Sequence, residues 1–251
     1  MQKIHHFIKS ATETFKKIKL TTPIAILLGA FIISIGIISY GFIVRESSQS
    51  SPTTSMFAGR PVDSSDYVDG KTDSKVVVIE YSDPECPFCV KSHSTMKQLR
   101  NEYGDKIAFV YRHWPLQIHP NAFDESRAIA CAGIVGGKKG LYDYIDTLYG
   151  YKLSTQNPNT LRFTALQKDG KEIIAKNIGL DVPKFTSCMN GQEASIIVSK
   201  SLEDGFNAGV DGTPTTFVLL KNKKGYQIVS PISGAQSIGY FKAAIEEALS
   251  K

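Results

Sequence analysis

Two cysteines with two residues between them, Cys86 and Cys89, stand where a strand-like run of the sequence changes into a helix-like run. Before them, residues 75–81 (KVVVIEY) are mainly β-branched and apolar, which is the pattern of a strand buried on both faces. After them, residues 87–103 have helical spacing, and the proline at the first position favours a helix start. The chain is therefore expected to fold as an α/β domain with both thiols at a helix N-terminus.

The other predicted elements place a long helical region between two groups of strands. Residues 107–112 (IAFVYR) predict a second strand, and residues 121–208 have mainly helical patterns. That is too much helix for one crossover connection, so a helical insertion is predicted. The further predicted elements are helices at 121–135, 138–151, 158–168, 171–178 and 191–208, a short piece near 183–189, strands at 215–220 and 226–229, and a closing helix at 237–249.

A Cys-x-x-Cys pair at a helix start is suited to thiol–disulfide exchange. Cys86 lies where free helix N–H groups and the helix dipole favour an anion, so its pKa is expected to fall. Cys89 lies one turn further in and is placed to attack a mixed disulfide. A zinc site is one alternative, but it needs a second close pair, and Cys131 and Cys188 are 57 residues apart. A purely structural disulfide is another, but so short a loop restrains little of the unfolded chain.

Two further features lie near this pair. Glu80 is the only charge in the buried run, and a lone buried carboxylate is costly, so it tends to keep its proton unless it is paired. It precedes Cys86 by six residues, near enough to accept a proton from Cys89; the alternative is an exposed Glu80 at a strand end. The second feature is the run 212–215 (GTPT), in which a proline directly precedes a strand and suits a turn or a strand edge.

The N-terminal part of the chain predicts a membrane anchor. Residues 23–44 are 22 uncharged and mostly apolar residues, enough for a helix to cross a bilayer. Five lysines precede this run and Arg45 follows it, so residues 1–22 are expected in the cytoplasm and the rest outside. The alternatives are a cleaved signal peptide, for which no good cleavage site follows, and a buried core helix. Residues 45–60 are expected to be a flexible linker to a domain at 61–251.

The net charge of +5 belongs to this N-terminal part. Residues 1–45 contain six basic residues and one acidic residue, whereas residues 46–251 contain 23 of each. A neutral domain offers no basic surface for nucleic acid, so no such partner is expected. The four cysteines are an even number, which in an exported chain favours disulfides over free thiols.

Five stretches of the chain together resemble the DsbA-like family of the thioredoxin superfamily, in its membrane-tethered or exported members with a helical insertion. The likeness covers roughly residues 60–250 in consistent order, and the ordered set is far more specific than the cysteine pair alone. The stretches are YSDPECPFC (81–89), FVYRHWPLQIHPNA (109–122), RAIACAG (127–133), GLDVPKFTSCM (179–189) and GVDGTPTTFVL (209–219).

The resemblance implies an α/β thioredoxin fold with a helical insertion, preceded here by one transmembrane helix. It implies that Cys86 is the attacking cysteine and that Cys89 is the resolving one. It also implies that Thr213 and Pro214 form a cis-proline loop beside them, and that Glu80 matches the buried acid of the family.

Cys131 and Cys188 lie in the predicted insertion. In an oxidising compartment, two cysteines in a compact helical region are expected to pair. The resemblance favours this pairing too, since some members of the family have a second disulfide there. Two buried free thiols are the alternative, because cysteine is common in cores as a small apolar residue.

Several other residues lie close to these motifs in the sequence. Phe88 stands where prototype oxidases of the family have histidine, and a neutral ring is expected to lower the Cys86 pKa less than an imidazolium does. His113, Trp114 and His119 follow the second predicted strand. Surface or turn roles are expected for these three rather than catalysis, since neither histidine is near the dithiol in sequence.

The resemblance implies a thiol–disulfide oxidoreductase that oxidises paired thiols of exported proteins, without a cofactor or metal. A DsbB-type membrane protein is the expected partner that reoxidises it. The first alternative is a reductase or isomerase with the same residues, although isomerases of the superfamily usually have an N-terminal dimerisation module, for which residues 45–70 are short and polar. The second is a non-enzymatic domain that binds metal or a partner. The expected place is the bacterial cytoplasmic membrane, with the domain in the periplasm or otherwise outside.

Overall fold

A mixed sheet of five strands, in the order β1-β3-β2-β4-β5, forms the centre of the domain. The computed structural model describes residues 55–156, 166 and 169–251. Strands β2 and β3 are parallel, and the other neighbouring strands are antiparallel. The strands are β1 (Val68–Gly70), β2 (Val76–Ser82), β3 (Ala108–His113), β4 (Thr215–Asn222) and β5 (Gly225–Ser233).

Strand β2 lies in the middle of the sheet, and all seven of its residues are buried. Alternate side chains of a strand point to opposite faces of a sheet, so a central strand with both faces covered is apolar throughout. One face is covered by helices α1 (Pro87–Tyr103) and α6 (Ile238–Leu249). The apolar pattern at 75–81 is therefore explained by a strand that packs on both faces. The predicted limits of this strand differ from the observed ones by one residue at each end.

In the described part of the insertion between β3 and β4 there are four helices, and they pack around one apolar core that also includes Val90 of α1 and Tyr111 of β3. The four helices are α2 (Ala122–Thr155), α3 (Gly170–Asn177), α4 (Val182–Asn190) and α5 (Glu193–Asn207). Helix α2 is kinked at Gly137, whose φ of 63° is in the region that glycine adopts readily. The two helices predicted at 121–135 and 138–151 are the halves on either side of this kink. The helix predicted at 158–168 falls almost wholly outside the described residues.

The predicted linker extends too far into the domain. Phe57 is buried against Phe217 on β4, with ring centroids 5.1 Å apart, and its amide donates to the Tyr226 carbonyl oxygen at 2.8 Å. Met56 forms an isolated bridge to Gln227. Residues 55–60 are thus part of the fold and not a free tether, because the Phe57 ring packs on β4 and the backbone of this run forms hydrogen bonds with the edge strand β5. The serine-rich composition of residues 46–56 gave no indication of these contacts.

No helix within the described part of the chain is long and apolar enough to cross a membrane. The predicted anchor at 23–44 and the segment 1–22 lie outside the described residues, as do positions 45–54 of the predicted linker. The anchor stays a prediction from the sequence.

Candidate functional site

Cys86 occupies the N-cap position of α1, directly after the turn that follows β2. Its carbonyl oxygen accepts a hydrogen bond from the Val90 amide at 3.1 Å, which begins the helix. Its side chain is only 4% exposed, and in the thiol form its Sγ donates to the Thr213 carbonyl oxygen at 3.4 Å. The first free N–H groups of the helix surround this sulfur, so the position favours a thiolate.

The pKa of the Cys86 thiol is lowered to about 6. The largest cause is a hydrogen bond with the side chain of Cys89, which outweighs burial; the Thr213 side chain and the backbone of Cys89 and Phe88 lower the pKa further. With this pKa, roughly nine-tenths of the thiol is ionised at pH 7, and the thiolate is the nucleophilic form. Of the two thiols, Cys86 is therefore the one that is ionised at neutral pH.

Cys89 is fully buried one turn further along the helix, and its pKa is raised well above the ordinary value. Burial is the main cause, and the proximity of Cys86 adds to it. The Asp83 amide donates to Cys89 Sγ at 3.3 Å. The two thiols are thus unequal: Cys86 is ionised at neutral pH, and Cys89 holds its proton until a base accepts it.

Glu80 is buried within β2, on the same face as Ser82 and on the side of α1. Burial raises the pKa of its carboxyl to about 7, although the Arg100 charge and a hydrogen bond from Ser82 lower it. Its Oε1 has no hydrogen-bond partner among the described residues. The alternative of an exposed glutamate at a strand end is wrong, because β2 continues past Glu80 and helix α1 covers it. A carboxyl that titrates near neutral pH can both accept and return a proton.

The Thr213–Pro214 peptide bond is cis. This loop leads into β4, and the Pro214 carbonyl oxygen accepts a hydrogen bond from the Gly234 amide at 2.8 Å. The loop presents its Thr213 carbonyl oxygen to the Cys86 sulfur. Cys86, Cys89, Thr213 and Pro214 are thus brought together from positions more than 120 residues apart.

A buried aspartate that sequence reasoning missed lies under the pair. Asp83 follows β2 directly and is fully buried. Its Oδ2 accepts a hydrogen bond from the Leu116 amide at 2.8 Å and lies 2.7 Å from His119 Nδ1. This carboxylate attaches the loop after β3 to the turn that contains Cys86. The signal in the sequence was an aspartate at the end of a buried strand, together with a histidine in the next loop.

The residues after the second strand are less exposed than expected. His113 is buried at the end of β3, and burial lowers its pKa to about 4, so its ring is neutral at pH 7. The Trp114 ring meets the Tyr81 ring edge-on, with centroids 6.3 Å apart. The expectation of a surface or turn role is wrong for His113, since it completes a strand with both faces covered. Within the described part of the chain, the hydrogen-bond partners of the two sulfurs besides one another are Thr213 and Asp83, and none of these three residues is among them.

Cys131 and Cys188 form a disulfide with an S–S distance of 2.04 Å. It joins α2 to α4 inside the core of the insertion. Cys86 and Cys89, by contrast, are free thiols. The four cysteines therefore divide into a structural pair in the insertion and a dithiol at the start of α1.

Comparisons with known proteins agree with this fold. A family model described as Thioredoxin matches residues 63–245. Two solved structures superimpose on most of the chain. One is the thiol-disulfide exchange protein alpha-DsbA2 from Wolbachia pipientis (TM-score 0.60, 19% identity, 74% of this chain and 88% of that one). The other is oxidised BdbD from Bacillus subtilis (TM-score 0.62, 18% identity, 78% of this chain and 99% of that one).

Among curated proteins, the Na(+)/H(+) antiporter NhaA 1 of Mycolicibacterium gilvum is 29% identical over 170 residues. The match covers 66% of this chain but only 25% of the antiporter. The chain thus spans about a quarter of the length of the curated relatives it matches, and ion transport by those proteins is not carried over to it. The family match covers most of the domain and both sulfurs of the dithiol, and the predicted recognition is confirmed: the chain belongs to the thioredoxin family and has the DsbA-like form of its fold, with a helical insertion.

Proposed function

We propose that this protein is a thiol–disulfide oxidoreductase that oxidises paired thiols of exported proteins. In the oxidised state a client thiolate attacks Cys86, and Cys89 leaves as a thiolate and takes up a proton. A second client thiol then attacks the mixed disulfide at the client sulfur, which releases the client disulfide and the reduced Cys86–Cys89 pair. Two electrons pass from the client to the pair, and the partner that reoxidises the pair must accept them.

One observation carries this proposal: the ionised Cys86 lies at a helix N-terminus beside the cis-proline loop, above a buried Cys89. In the second step Cys86 leaves as a thiolate, and its low pKa makes it a good leaving group. In the first step the leaving sulfur is Cys89, which lies next to Cys86 at the start of α1. The exposed Phe88 and Ile118 near this end of α1, at 55% and 80% exposure, offer apolar surface to a client segment.

The direction of electron flow follows from how well the reduced pair is stabilised. A lower Cys86 pKa stabilises the reduced form and makes the disulfide a stronger oxidant. Cys86 has a pKa of about 6, and the corresponding values are about 7 in thioredoxin and roughly 3.5 in a strong oxidase. The expected reduction potential therefore lies between about −270 mV and −120 mV. Such a value supports oxidation of clients, but with a weaker driving force than in the strongest oxidases.

Residues 23–44 would hold the domain at a bacterial cytoplasmic membrane, with residues 1–22 in the cytoplasm. A tether raises the effective concentration of the dithiol near a DsbB-type membrane partner. A membrane-impermeant maleimide tests the location. Intact cells should label the reduced Cys86; protection of Cys86 until the cells are lysed would place the domain inside.

The test of the reaction is oxidative refolding of a reduced client, together with the reduction potential in glutathione buffers. Cys86→Ser should abolish refolding, and Cys89→Ala should accumulate mixed disulfides on Cys86. Ser126→Ala, which alters a buried residue in the insertion, is the matched control and should refold the client as the unmodified protein does. A potential below about −270 mV with no refolding would reject the oxidase direction.

A reductase or isomerase with the same residues is the second candidate. The observation in its favour is that the Cys86 pKa of about 6 is closer to the value of about 7 in thioredoxin than to that of a strong oxidase. This candidate predicts that the reduced protein cleaves client disulfides faster than the oxidised protein forms them.

A further inference from the structure

Ser82 is close in the structure to Glu80 and to Cys89, the two groups that would exchange a proton during disulfide exchange. Ser82 is the last residue of β2, is fully buried, and follows Glu80 by two residues, so both side chains lie on one face of the strand. The amide of the next residue donates to Cys89 Sγ at 3.3 Å, which places Ser82 directly beside that sulfur. The Ser82 side chain also lowers the pKa of both Cys89 and Glu80, which agrees with its place on this face of β2 next to Cys89.

A chain of buried hydroxyl groups holds Ser82 from its other side. Ser82 Oγ is 3.2 Å from the Tyr149 hydroxyl, which is 3.2 Å from the Tyr111 hydroxyl. Burial raises the pKa of both tyrosines well above the ordinary value, so both keep their protons. A serine hydroxyl has one proton and two lone pairs. When Tyr149 donates to Ser82 Oγ, the Ser82 proton is free to point at Cys89 or Glu80.

We infer that Ser82 transfers the proton between Cys89 and Glu80, and that Tyr149 is a positioning residue that orients the Ser82 hydroxyl. In one direction, the Cys89 thiol gives its proton to Ser82 Oγ while Ser82 gives its own proton to the Glu80 carboxylate. The products are the Cys89 thiolate, an unchanged serine and a neutral Glu80. In the other direction, the departing Cys89 thiolate recovers the proton by the same route. This inference rests on the proposed function.

The helical insertion thereby takes part in the chemistry, since Tyr149 belongs to α2. Other titratable groups also face Glu80: Arg100 and His93 from α1, Tyr111 from β3 and Tyr142 from α2. All of them remain in place when only a hydroxyl of Ser82 or Tyr149 is removed. A change in pH dependence in those variants is therefore assigned to the hydroxyl chain.

The test follows the two steps of the dithiol separately. The full chain with its dithiol reduced is mixed with 5,5′-dithiobis(2-nitrobenzoate). Attack by Cys86 releases one chromophore, and attack by Cys89 on the mixed disulfide releases a second. The rate of the second release is measured from pH 5 to pH 9. In Ser82→Ala it should fall on the order of 10²-fold near pH 7, the lower end of what general acid–base catalysis contributes.

The first release should be unchanged in Ser82→Ala, and the second should approach the unmodified rate at high pH, where hydroxide ionises Cys89. Ser82→Thr retains a hydroxyl and should recover much of the rate. Tyr149→Phe should slow the second release less than Ser82→Ala and shift its pH profile. Ser126→Ala, a fully buried serine in α2, is the control and should leave both releases unchanged.

The outcomes separate the two proposals. If Ser82→Ala keeps the unmodified second rate and pH profile, the relay is overturned while the exchange reaction stands. The proposed function itself fails if the unmodified protein shows no second release. It also fails if Cys86→Ser reacts with 5,5′-dithiobis(2-nitrobenzoate) as fast as the unmodified protein does. Should Ser82→Ala not fold, Tyr149→Phe decides, since it removes a single oxygen: an unchanged second release in that variant overturns the relay.

Discussion

Replacement of the buried carboxyl in β2 by its neutral isostere, Glu80→Gln, should change how stability depends on pH. Burial raises the pKa of Glu80 from 4.5 to about 7 in the folded protein. Between these two pH values the folded state holds a proton that the unfolded state has lost, so the free energy of unfolding falls as pH rises. The stabilising effect of the proton is complete below pH 4.5 and is lost as pH rises through about 7.

The size of the effect follows from the shift. One pKa unit corresponds to about 1.36 kcal/mol, so a shift of this size amounts to about 3 kcal/mol of unfolding free energy between pH 4 and pH 8. Glu80→Gln has no proton to lose at this position. Its stability relative to the unmodified protein should therefore increase by about 3 kcal/mol across that range, whatever the fixed cost or gain of the amide.

The assay is chemical denaturation at a series of pH values, in a background with Cys86→Ser and Cys89→Ala so that no dithiol titrates. Other titrating groups, such as the buried histidines, are common to both proteins and cancel in the difference. Ser126→Ala, which alters a buried residue without a titrating group, is the control and should show a constant difference from pH 4 to pH 8. A constant difference for Glu80→Gln as well would refute the assignment of Glu80 as a buried acid that titrates near neutral pH.

Three further variants test other parts of the structure. Phe88→His places an imidazolium beside the Cys86 thiolate and should raise the reduction potential in glutathione buffers by up to about 30 mV, the equivalent of one pKa unit; a lower potential would contradict the electrostatic argument. Cys131→Ala with Cys188→Ala opens a loop of 57 residues and should cost about 4 kcal/mol in chemical denaturation on the loop-entropy model, without altering the Cys86 titration. Arg112→Met removes the cation that pairs with the buried Asp204 carboxylate, while Asp66 keeps its ion pair with Arg60, and should cost about 3–5 kcal/mol of unfolding free energy; a neutral result would mean that solvent reaches Asp204.

The sequence carried most of the information on local structure. The strand before the dithiol, the helix after it and the break at Gly137 follow from hydrophobic spacing and from single proline and glycine residues, which act over a few neighbours. It also predicted the lowered pKa of Cys86, because the effect of a helix N-terminus on a thiol is local. The short strand β1 was missed, since three residues are too few to show a period.

Long-range contacts were decided only by the tertiary structure. Ser82 and Tyr149 are 67 residues apart in sequence, and their hydroxyls meet because α2 packs against the end of β2. His119 reaches Asp83 in the same way, through the loop after β3. The sequence around these residues does not indicate such partners, because a long-range hydrogen bond depends on how the helices and strands that contain the two residues pack together. The sequence by itself therefore determined the dithiol and its helix, and the packing of β2, β3 and α2 decided which groups surround Cys89.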